Sequence, residues 1–286
     1  MQKSTLQLLR FHFSFFLMPI YCFALSQVPA VNWPNALLVF FILHVLVYPS
    51  SNGYNSYMDR DDTPIGGLAQ PLQPTQQLFR VSIVMDVLAV VLSVMVSVYF
   101  VVGILLYILA SRAYSYRGIR LKQYPIIGFL TVVVFQGGVA FWLVYHGCSQ
   151  GQTLEVPWWP IIAGSLLIGG FYPLTQIYQH EADKADGVTT ISYMLGYRGT
   201  FIFTAIIYAC AFGILAYWFL STLQMMQLLV LQLCFVPTLI YFFYWANQVF
   251  KSVAAANFKH TMQMNLIASV CTNLAFILIL ILNLSE

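Results

Sequence analysis

Long apolar stretches separated by short polar segments recur along the whole chain. A helix needs about 20 consecutive apolar residues to cross a bilayer. The pattern predicts nine such helices in an all-α membrane bundle, over residues 11–27, 35–58, 81–98, 99–116, 125–145, 157–179, 199–220, 228–250 and 264–284.

The apolar run from residue 81 to residue 111 fits either one long tilted helix or two helices joined by a tight turn. The basic residues favour the second arrangement. With a hairpin near residues 99–103, all 12 Lys and Arg residues fall on the side that holds the N-terminus. Because cytoplasmic loops are enriched in Lys and Arg, we expect nine spans, a cytoplasmic N-terminus and an outside C-terminus.

The composition excludes an ordinary soluble protein. Of the 286 residues, 60% are hydrophobic and 7% are charged, and the mean hydropathy is +0.79. Soluble domains carry about 25% charged residues. We predict one integral membrane domain over residues 1–286. The five cysteines are widely spaced and form no metal or redox motif. Nothing indicates a nucleic-acid partner or an obligatory protein partner.

Six of the nine acidic residues fall in two segments that each follow a predicted inward-running helix. The first acidic segment, residues 55–62, reads NSYMDRDD, and the second, residues 179–186, reads QHEADKAD. Both fit the pattern amide-x-x-x-Asp-(Arg/Lys)-x-Asp. Acids are costly near lipid, so two matched clusters in a charge-poor chain indicate a functional site. Ordinary solvated helix ends are the alternative interpretation.

Helical spacing predicts which side chains of the two segments lie together. Residues three or four apart share a helix face. One face therefore carries Asn55, Asp59 and Asp62, and the other carries Gln179, Asp183 and Asp186. Oxygen ligands of this kind suit Mg²⁺, which is usually completed by water and substrate phosphates.

A basic segment, residues 114–122 (YSYRGIRLK), is expected on the same side of the membrane. Its Arg120 and Lys122 would neutralise a diphosphate held beside the acids. The positive-inside rule by itself explains these charges almost as well. Asp86 lies inside the third predicted helix, where an acid is expected either to line a polar cavity or to pair with a basic residue.

At these residues the chain resembles the UbiA family of intramembrane aromatic prenyltransferases. That family has an Asn-Asp-x-x-Asp-x-x-x-Asp motif after its second helix, a Tyr-Ser…Lys segment after its fourth and an Asp-x-x-x-Asp motif after its sixth. The matching residues here are Asn55, Asp59, Tyr114, Ser115, Lys122, Asp183, Gly187, Val188 and Thr190. Ser56, Thr63 and Gln179 stand where the family has aspartates. Asp61, Asp62, Glu181 and Asp186 lie within a turn of these positions and are the candidates to compensate, with Asp62 expected to do so in the first motif.

The resemblance implies a Mg²⁺-dependent transfer of an isoprenoid group from a prenyl diphosphate to a lipophilic acceptor of the aromatic or ring type. It implies catalytic roles for Asp59, Asp183 and Lys122, and diphosphate contacts from Arg120, Lys122, Tyr114 and Asn55. Mg²⁺ would be held by Asn55, Asp59, Asp62, Gln179, Asp183 and Asp186.

The expected setting is a bacterial inner membrane, with lipid around the bundle and the active site facing the cytoplasm. The acceptor stays open among quinone precursors, chlorin or haem rings, glycerol lipids and sugars. A non-catalytic membrane protein on the same scaffold, such as a lipid or small-molecule transporter, is the alternative. The acids cluster at one membrane face rather than near the midplane, which weighs against a transporter.

Overall fold

Apolar helices long enough to cross a bilayer account for most of residues 1–285, the part of the chain that the computed structural model describes. Nine of them occur within that range. In chain order, α1 to α9 span Lys3–Ser26, Trp33–Asp59, Gln76–Ser93, Val98–Ser115, Pro125–Cys148, Trp158–Ala185, Ile191–Ser221, Met225–Lys251 and Phe258–Ser285. The predicted all-α bundle of nine spans is confirmed.

Several helices begin where the sequence supplies a cap or a proline. Asn32 precedes α2, and its side-chain oxygen accepts a hydrogen bond from the backbone N–H of Asn35. Thr190 does the same for Tyr193 at the start of α7. Pro125 opens α5, where a missing N–H costs nothing because the first turn has no intrahelical partner for it. These caps account for helix starts that hydropathy alone leaves uncertain.

The long apolar run between residues 81 and 111 is a hairpin, as the charge distribution predicts. Helices α3 and α4 are separate, and the turn between them covers residues 94–97 rather than 99–103. Ser97 sets this position, because its side chain accepts a hydrogen bond from the N–H of Phe100 and caps α4. It also hydrogen-bonds the Nε2 atom of His146 on α5 at 2.7 Å.

Several spans contain turns that are not α-helical. In α1 a 3₁₀ turn covers Phe11–Phe16. Segments of π-helix occur in α2, over Phe41–Val47, and in α5, over Val133–Val139. Such segments are frequent at functional sites. In α7, Gly196 has a φ of 70° and kinks the helix. The irregular turns change the direction in which downstream side chains face.

The larger of two buried apolar clusters takes residues from all nine helices, and the smaller one takes residues from α6 to α9. Phe23 stacks on Phe276 with ring centroids 4.4 Å apart, which joins α1 to α9. Helices α5 and α6 approach closely at Gly137, where an added Cβ would lie 2.5 Å from the Cα of Ser165. Only glycine fits this contact. The approach fixes the neighbouring residue, Gln136, at the inner wall of the bundle.

The nine crossings bring the connections α2–α3, α4–α5, α6–α7 and α8–α9 to the end of the bundle that holds the N-terminus. Both acidic segments and the basic segment belong to that end. The fold therefore brings together three stretches that are far apart in sequence.

Candidate functional site

A cavity at the N-terminal end of the bundle holds acids from both acidic segments. Its lining includes Asp59 and Asp61 from the end of α2 and Asp183 from the end of α6. We call it the carboxylate cavity. The same lining contains six further residues from the sequence prediction or its family motifs: Asn55, Tyr114, Lys122, Gln179, Val188 and Thr190.

The first acidic segment does not continue as a helix through Asp62. Helix α2 ends at Asp59, and Arg60 adopts a left-handed conformation with φ 57° and ψ 40°. This turn brings Asp61 into the cavity lining and leaves Asp62 exposed and outside it. The expectation that Asp62 shares the face of Asp59 is therefore wrong, because it assumed an unbroken helix.

The second acidic segment separates its two aspartates in a similar way. Asp183 lines the cavity, whereas Asp186 follows the end of the helix and lies outside the lining. The Asp186 carboxylate forms an ion pair with Arg120, and the Nη1 atom of Arg117 lies 3.5 Å from it. Asp186 is thus engaged by the basic segment rather than directed at the cavity.

The basic segment contacts both acidic segments. The Lys122 Nζ atom lies 2.5 Å from the Oδ2 atom of Asp59. Arg120 also donates from Nη1 to the backbone oxygen of Asp186 at 3.0 Å, and its Nη2 atom lies 3.9 Å from Oδ1 of Asp59. Lys122 lines the carboxylate cavity and Arg120 does not. The structure therefore separates a cation inside the cavity from one that joins the two acidic segments.

Neutral polar groups complete the wall. The Ser115 hydroxyl donates to the Oδ1 atom of Asn55 at 2.8 Å. The hydroxyls of Tyr114 and Tyr172 are hydrogen-bonded to each other. Gln179 donates from Nε2 to the backbone oxygen of Pro64 at 3.3 Å. These bonds fix the amide and phenol groups that face the cavity.

Two carboxylate oxygens of this cavity are buried without a hydrogen-bond partner in the described residues: Oδ1 of Asp59 and Oδ2 of Asp183. The pKa of Asp61 is raised to about 6, first by burial and then by the negative charge of Asp59. A buried polar atom without a partner costs about 1–3 kcal/mol. The acids are therefore incompletely neutralised by the protein itself, which fits a site for bound cations.

No group of three His, Cys, Asp or Glu side chains among residues 1–285 is arranged to hold one metal ion between them. The acids instead come from the C-terminal ends of two different helices, α2 and α6. Asn55 accompanies the first and Gln179 the second. This donor set fits Mg²⁺ of the kind that keeps water and substrate oxygens in its coordination shell.

Arg10 is the main residue of the cavity that the sequence prediction missed. It breaks α1 in a left-handed conformation with φ 47°, and its residue surface is only 6% exposed. Its Nη1 and Nη2 atoms donate to the backbone oxygens of Gly66 and Asn52 at 3.1 and 3.3 Å. Its Nε atom is buried without a partner in the described part of the chain. The only sequence signal was a basic residue just ahead of the first apolar run.

Asp86 does not line the carboxylate cavity. It accepts hydrogen bonds from Ser50 at 2.5 Å and from the Nε atom of Arg112 at 3.1 Å, and the Arg112 guanidinium carbon lies 4.1 Å from the centre of the Tyr54 ring. Pairing with a basic residue is therefore the correct interpretation of this intramembrane acid.

A small apolar cavity adjoins the carboxylate cavity inside the bundle. Phe16, Ile168 and Phe171 border both the carboxylate cavity and this apolar cavity, whose lining includes Ala268 and Thr272 of α9. These three side chains thus separate charged groups at the membrane edge from an apolar interior.

Comparisons with known proteins agree with this geometry. The model of the UbiA prenyltransferase family matches residues 16–267. No curated protein sequence matches the chain.

Among solved structures, the chain is similar to a UbiA homologue from Archaeoglobus fulgidus bound to DMAPP and Mg²⁺, with a TM-score of 0.72, 19% identity and 99% coverage of each chain. A UbiA homologue of the same organism bound to GPP and Mg²⁺ gives a TM-score of 0.72 and 20% identity, over 99% of this chain and 100% of that one. An apo UbiA homologue from Aeropyrum pernix K1 gives a TM-score of 0.69 and 18% identity, over 93% of this chain and 97% of that one. At these identities the likeness shows a shared fold.

Proposed function

The chain belongs to the UbiA prenyltransferase family, and on that premise we propose that it is a Mg²⁺-dependent intramembrane prenyltransferase. It would move an isoprenoid group from a prenyl diphosphate to a lipophilic acceptor. The observation that carries the proposal is the pair of buried, unpartnered oxygens of Asp59 and Asp183 in one cavity with Lys122. The Mg²⁺, DMAPP and GPP of the Archaeoglobus fulgidus structures support this chemistry.

The metal ligands we propose follow the cavity lining. Asn55, Asp59 and Asp61 would serve one side, and Gln179 and Asp183 the other. In this proposal Asp61 replaces Asp62 as a ligand. Asp186 is not a ligand, because its carboxylate is paired with Arg117 and Arg120. Bound Mg²⁺ supplies Lewis-acid stabilisation of the negative charge on the diphosphate.

The chain's own cations act on the same charge. Lys122 and Arg10 line the cavity and would bind the diphosphate, with Tyr114 beside them. In the reaction, the bond between the isoprenoid carbon and the diphosphate oxygen breaks, and its electron pair leaves with the diphosphate. Fixed positive groups stabilise that developing charge most strongly where water is excluded. The acceptor then forms a bond to the carbon and loses a proton to the released diphosphate.

The small apolar cavity that adjoins the carboxylate cavity lies where an isoprenoid tail would extend. Phe16 and Phe171 stand between the charged and the apolar parts. Aromatic faces attract a cation by their quadrupole, so these two rings suit the allylic cation that the bond cleavage generates. Arg120 would act at a distance, because its bonds to Asp186 hold the second acidic segment against the basic segment.

The proposed orientation places the N-terminus and the carboxylate cavity in the cytoplasm. It is supported by the basic residues, which lie at or near that end of the bundle. Cysteines introduced at Lys3 and Ser285 in a chain without its native cysteines would report the orientation. A membrane-impermeant thiol reagent is expected to label Ser285→Cys in intact cells and Lys3→Cys only after permeabilisation.

The decisive experiment incubates the purified full chain in nanodiscs with Mg²⁺, labelled geranyl diphosphate and a panel of lipophilic acceptors. Prenylated product, or at least diphosphate release, is expected in the wild type and lost in Asp183→Asn. Glu181→Gln removes an exposed charge two residues away and is the matched control. Wild-type protein that releases no diphosphate with any acceptor would show the proposal to be wrong. Mg²⁺-independent substrate accumulation in vesicles would favour a transporter.

A further inference from the structure

We infer that an apolar groove between α7 and α8 binds one anionic phospholipid of the surrounding membrane. The lipid phosphate would lie on Arg198 and Lys251, at the end of the bundle that holds the N-terminus, and one acyl chain would lie in the groove. The lining of the groove shares no residue with that of the carboxylate cavity. The inference therefore goes beyond the proposed prenyl transfer and does not depend on it.

The groove is an apolar depression on the lipid-facing surface of the bundle. Residues between 204 and 212 line it from α7 and residues between 235 and 243 from α8, with no charged side chain in the lining. Ala205, Ala209 and Phe243 are exposed, so the groove opens toward lipid. Its volume is about 410 Å³, whereas a cavity of roughly 150 Å³ binds benzene in another protein. The groove therefore has room for a hydrocarbon chain.

The two basic residues come from the helices that form the groove, and they meet at one end of it. Arg198 donates from Nη2 to the backbone oxygen of Phe250 at 2.9 Å, and its guanidinium carbon lies 5.9 Å from the centre of the Phe250 ring. That oxygen belongs to the peptide group that joins Phe250 to Lys251. Arg198 precedes Ala205 by two helical turns and Phe250 follows Phe243 by two, so both lie on the groove sides of their helices.

Neither cation is neutralised by the protein. Arg198 and Lys251 are exposed, and neither forms an ion pair in the part of the chain that the structure describes. Lys259, in the first turn of α9, is also exposed. The positive-inside rule accounts for basic residues at this membrane edge but not for their meeting, from two helices, at the end of one groove. A phosphate between Arg198 and Lys251 would accept charge-assisted hydrogen bonds from both.

The length of the site matches one leaflet of a bilayer. Arg198 and Phe212 are 14 residues apart on α7, which corresponds to about 21 Å along the helix. A bilayer with its headgroups is about 40–45 Å thick, so one leaflet is about 20–22 Å. A phospholipid with its phosphate at Arg198 would therefore place its chain along the groove as far as Phe212. A free phosphate would leave the groove empty, and an uncharged hydrocarbon would leave the cations unpaired.

Charge favours an anionic phospholipid over the other occupants. A zwitterionic headgroup brings an ammonium group close to two cations, whereas each Lys or Arg beside an anionic membrane surface strengthens binding by about fivefold. A symmetric dimer through this face would bring Arg198 and Lys251 of both copies to one membrane edge. The groove lining has no carboxylate to offset that repulsion.

Native mass spectrometry of the full chain in detergent tests the inference. The chain is titrated with phosphatidylglycerol and with phosphatidylcholine of the same acyl chains. The wild type is expected to bind one phosphatidylglycerol at least about tenfold more tightly than phosphatidylcholine, and Arg198→Gln with Lys251→Gln should remove this preference. The matched control is Lys3→Gln with Arg80→Gln, which removes one exposed lysine and one exposed arginine elsewhere at the same end of the bundle and should keep the preference.

A second pair of variants tests the groove itself. Ala205→Leu with Ala209→Leu fills part of the groove and should weaken the binding of both lipids at least about fivefold. Cys210→Leu is the control, because Cys210 is exposed on the same helix but outside the lining. The temperature of unfolding without lipid is measured for every variant. If Arg198→Gln lowers it, Lys251→Gln alone leaves the bond from Arg198 to Phe250 in place and should still lose about fivefold of the preference.

Three results would overturn the inference: equal affinity of the wild type for both lipids, an unchanged preference in the Lys251→Gln variants, or an equal loss in the Lys3 and Arg80 control. A dimer free of bound lipid would instead show an interface between copies. Displacement of phosphatidylglycerol by an equal concentration of glycerol 3-phosphate would show a site for soluble phosphate, and it would equally overturn the inference. Lipid binding is measured without prenyl diphosphate, so failure of the proposed function would leave these results unchanged.

Discussion

Lys122 and Asp59 meet across the carboxylate cavity, with the Nζ atom 2.5 Å from Oδ2. The other oxygen of Asp59 is buried without a hydrogen-bond partner in the described part of the chain. One carboxylate oxygen thus has a close cation, and the other has no hydrogen bond and only the Arg120 Nη2 atom 3.9 Å away. Lys122 would neutralise Asp59 before substrate arrives and bind the diphosphate afterwards.

Lys122→Met is expected to lower the rate of diphosphate release by about 10²–10³-fold, the usual cost of losing one preorganised charge at the reacting centre. Lys184→Met is the matched control, because Lys184 is exposed and outside the cavity lining. Single-turnover measurements with geranyl diphosphate separate this effect from binding. A Lys122→Met enzyme with wild-type rate would contradict a role for the ammonium group.

Asp61→Asn and Asp62→Asn form a matched pair, since the same charge is removed from adjacent residues. Asp61 lines the cavity and Asp62 is exposed outside it. We expect Asp61→Asn to lower prenyl transfer at least about tenfold and Asp62→Asn to leave it within about twofold. Titration of activity with Mg²⁺ should show half-maximal activity at a higher Mg²⁺ concentration only for Asp61→Asn. Equal losses in both variants would restore the sequence prediction for Asp62.

Most of the scaffold was predictable from the sequence because apolar length and the positions of Lys and Arg depend on the bilayer. The fine geometry of the site was not. Helical spacing grouped Asp62 with Asp59, but Arg60 leaves the helix in a left-handed conformation. The sequence predicted Asp186 as a metal ligand, but its carboxylate is paired with Arg117 and Arg120 from a distant segment of the chain. Long-range contacts and single-residue backbone changes leave no periodic signal in a sequence.

Arg10 is expected to contribute to the binding of prenyl diphosphate. Arg10→Met removes a buried guanidinium and should weaken the affinity for geranyl diphosphate by about 10–100-fold, which corresponds to roughly 1.4–2.8 kcal/mol. Arg10→Lys keeps the charge but not the two bonds to Gly66 and Asn52, so an intermediate loss is expected. Arg198→Met is the control, because Arg198 also donates to a backbone oxygen but lies outside the cavity. Isothermal titration calorimetry in detergent measures the affinity of each variant for geranyl diphosphate.

The metal-free protein is expected to lose stability as the pH rises. The pKa of Asp61 is raised from 3.8 to about 6, first by burial and then by Asp59. The folded state therefore binds this proton more tightly than the unfolded state, so its stabilising effect is present below about pH 4 and is lost as the pH rises through 6. Thermal unfolding in EDTA should show a smaller decline between pH 5 and 7.5 for Asp61→Asn than for the wild type. An Asp62→Asn variant should decline as the wild type does.

Asp86 and Arg112 are expected to matter for stability rather than for chemistry. Asp86→Ala leaves a buried guanidinium without its carboxylate, a change that typically costs about 3–5 kcal/mol. The double variant Asp86→Leu, Arg112→Met removes both charges and should recover most of that loss. Unfolding of the single and double variants in the same detergent gives the coupling between them. A double variant less stable than Asp86→Ala would contradict this view of the pair.

The π-helical segment Phe41–Val47 makes the rotation of the rest of α2 depend on the number of residues in that segment. A π turn is commonly an α-helix that has accommodated one extra residue, and each residue of an α-helix turns the chain by about 100°. Deleting one residue from this segment and letting it relax into a regular helix would rotate everything beyond it by that angle. Asn55 and Asp59 would then turn away from Lys122, while the apolar length of the span would hardly change. A membrane protein of nearly normal hydropathy would thus lose the contribution of α2 to the carboxylate cavity, while Lys122 and Asp183 would stay on their own segments.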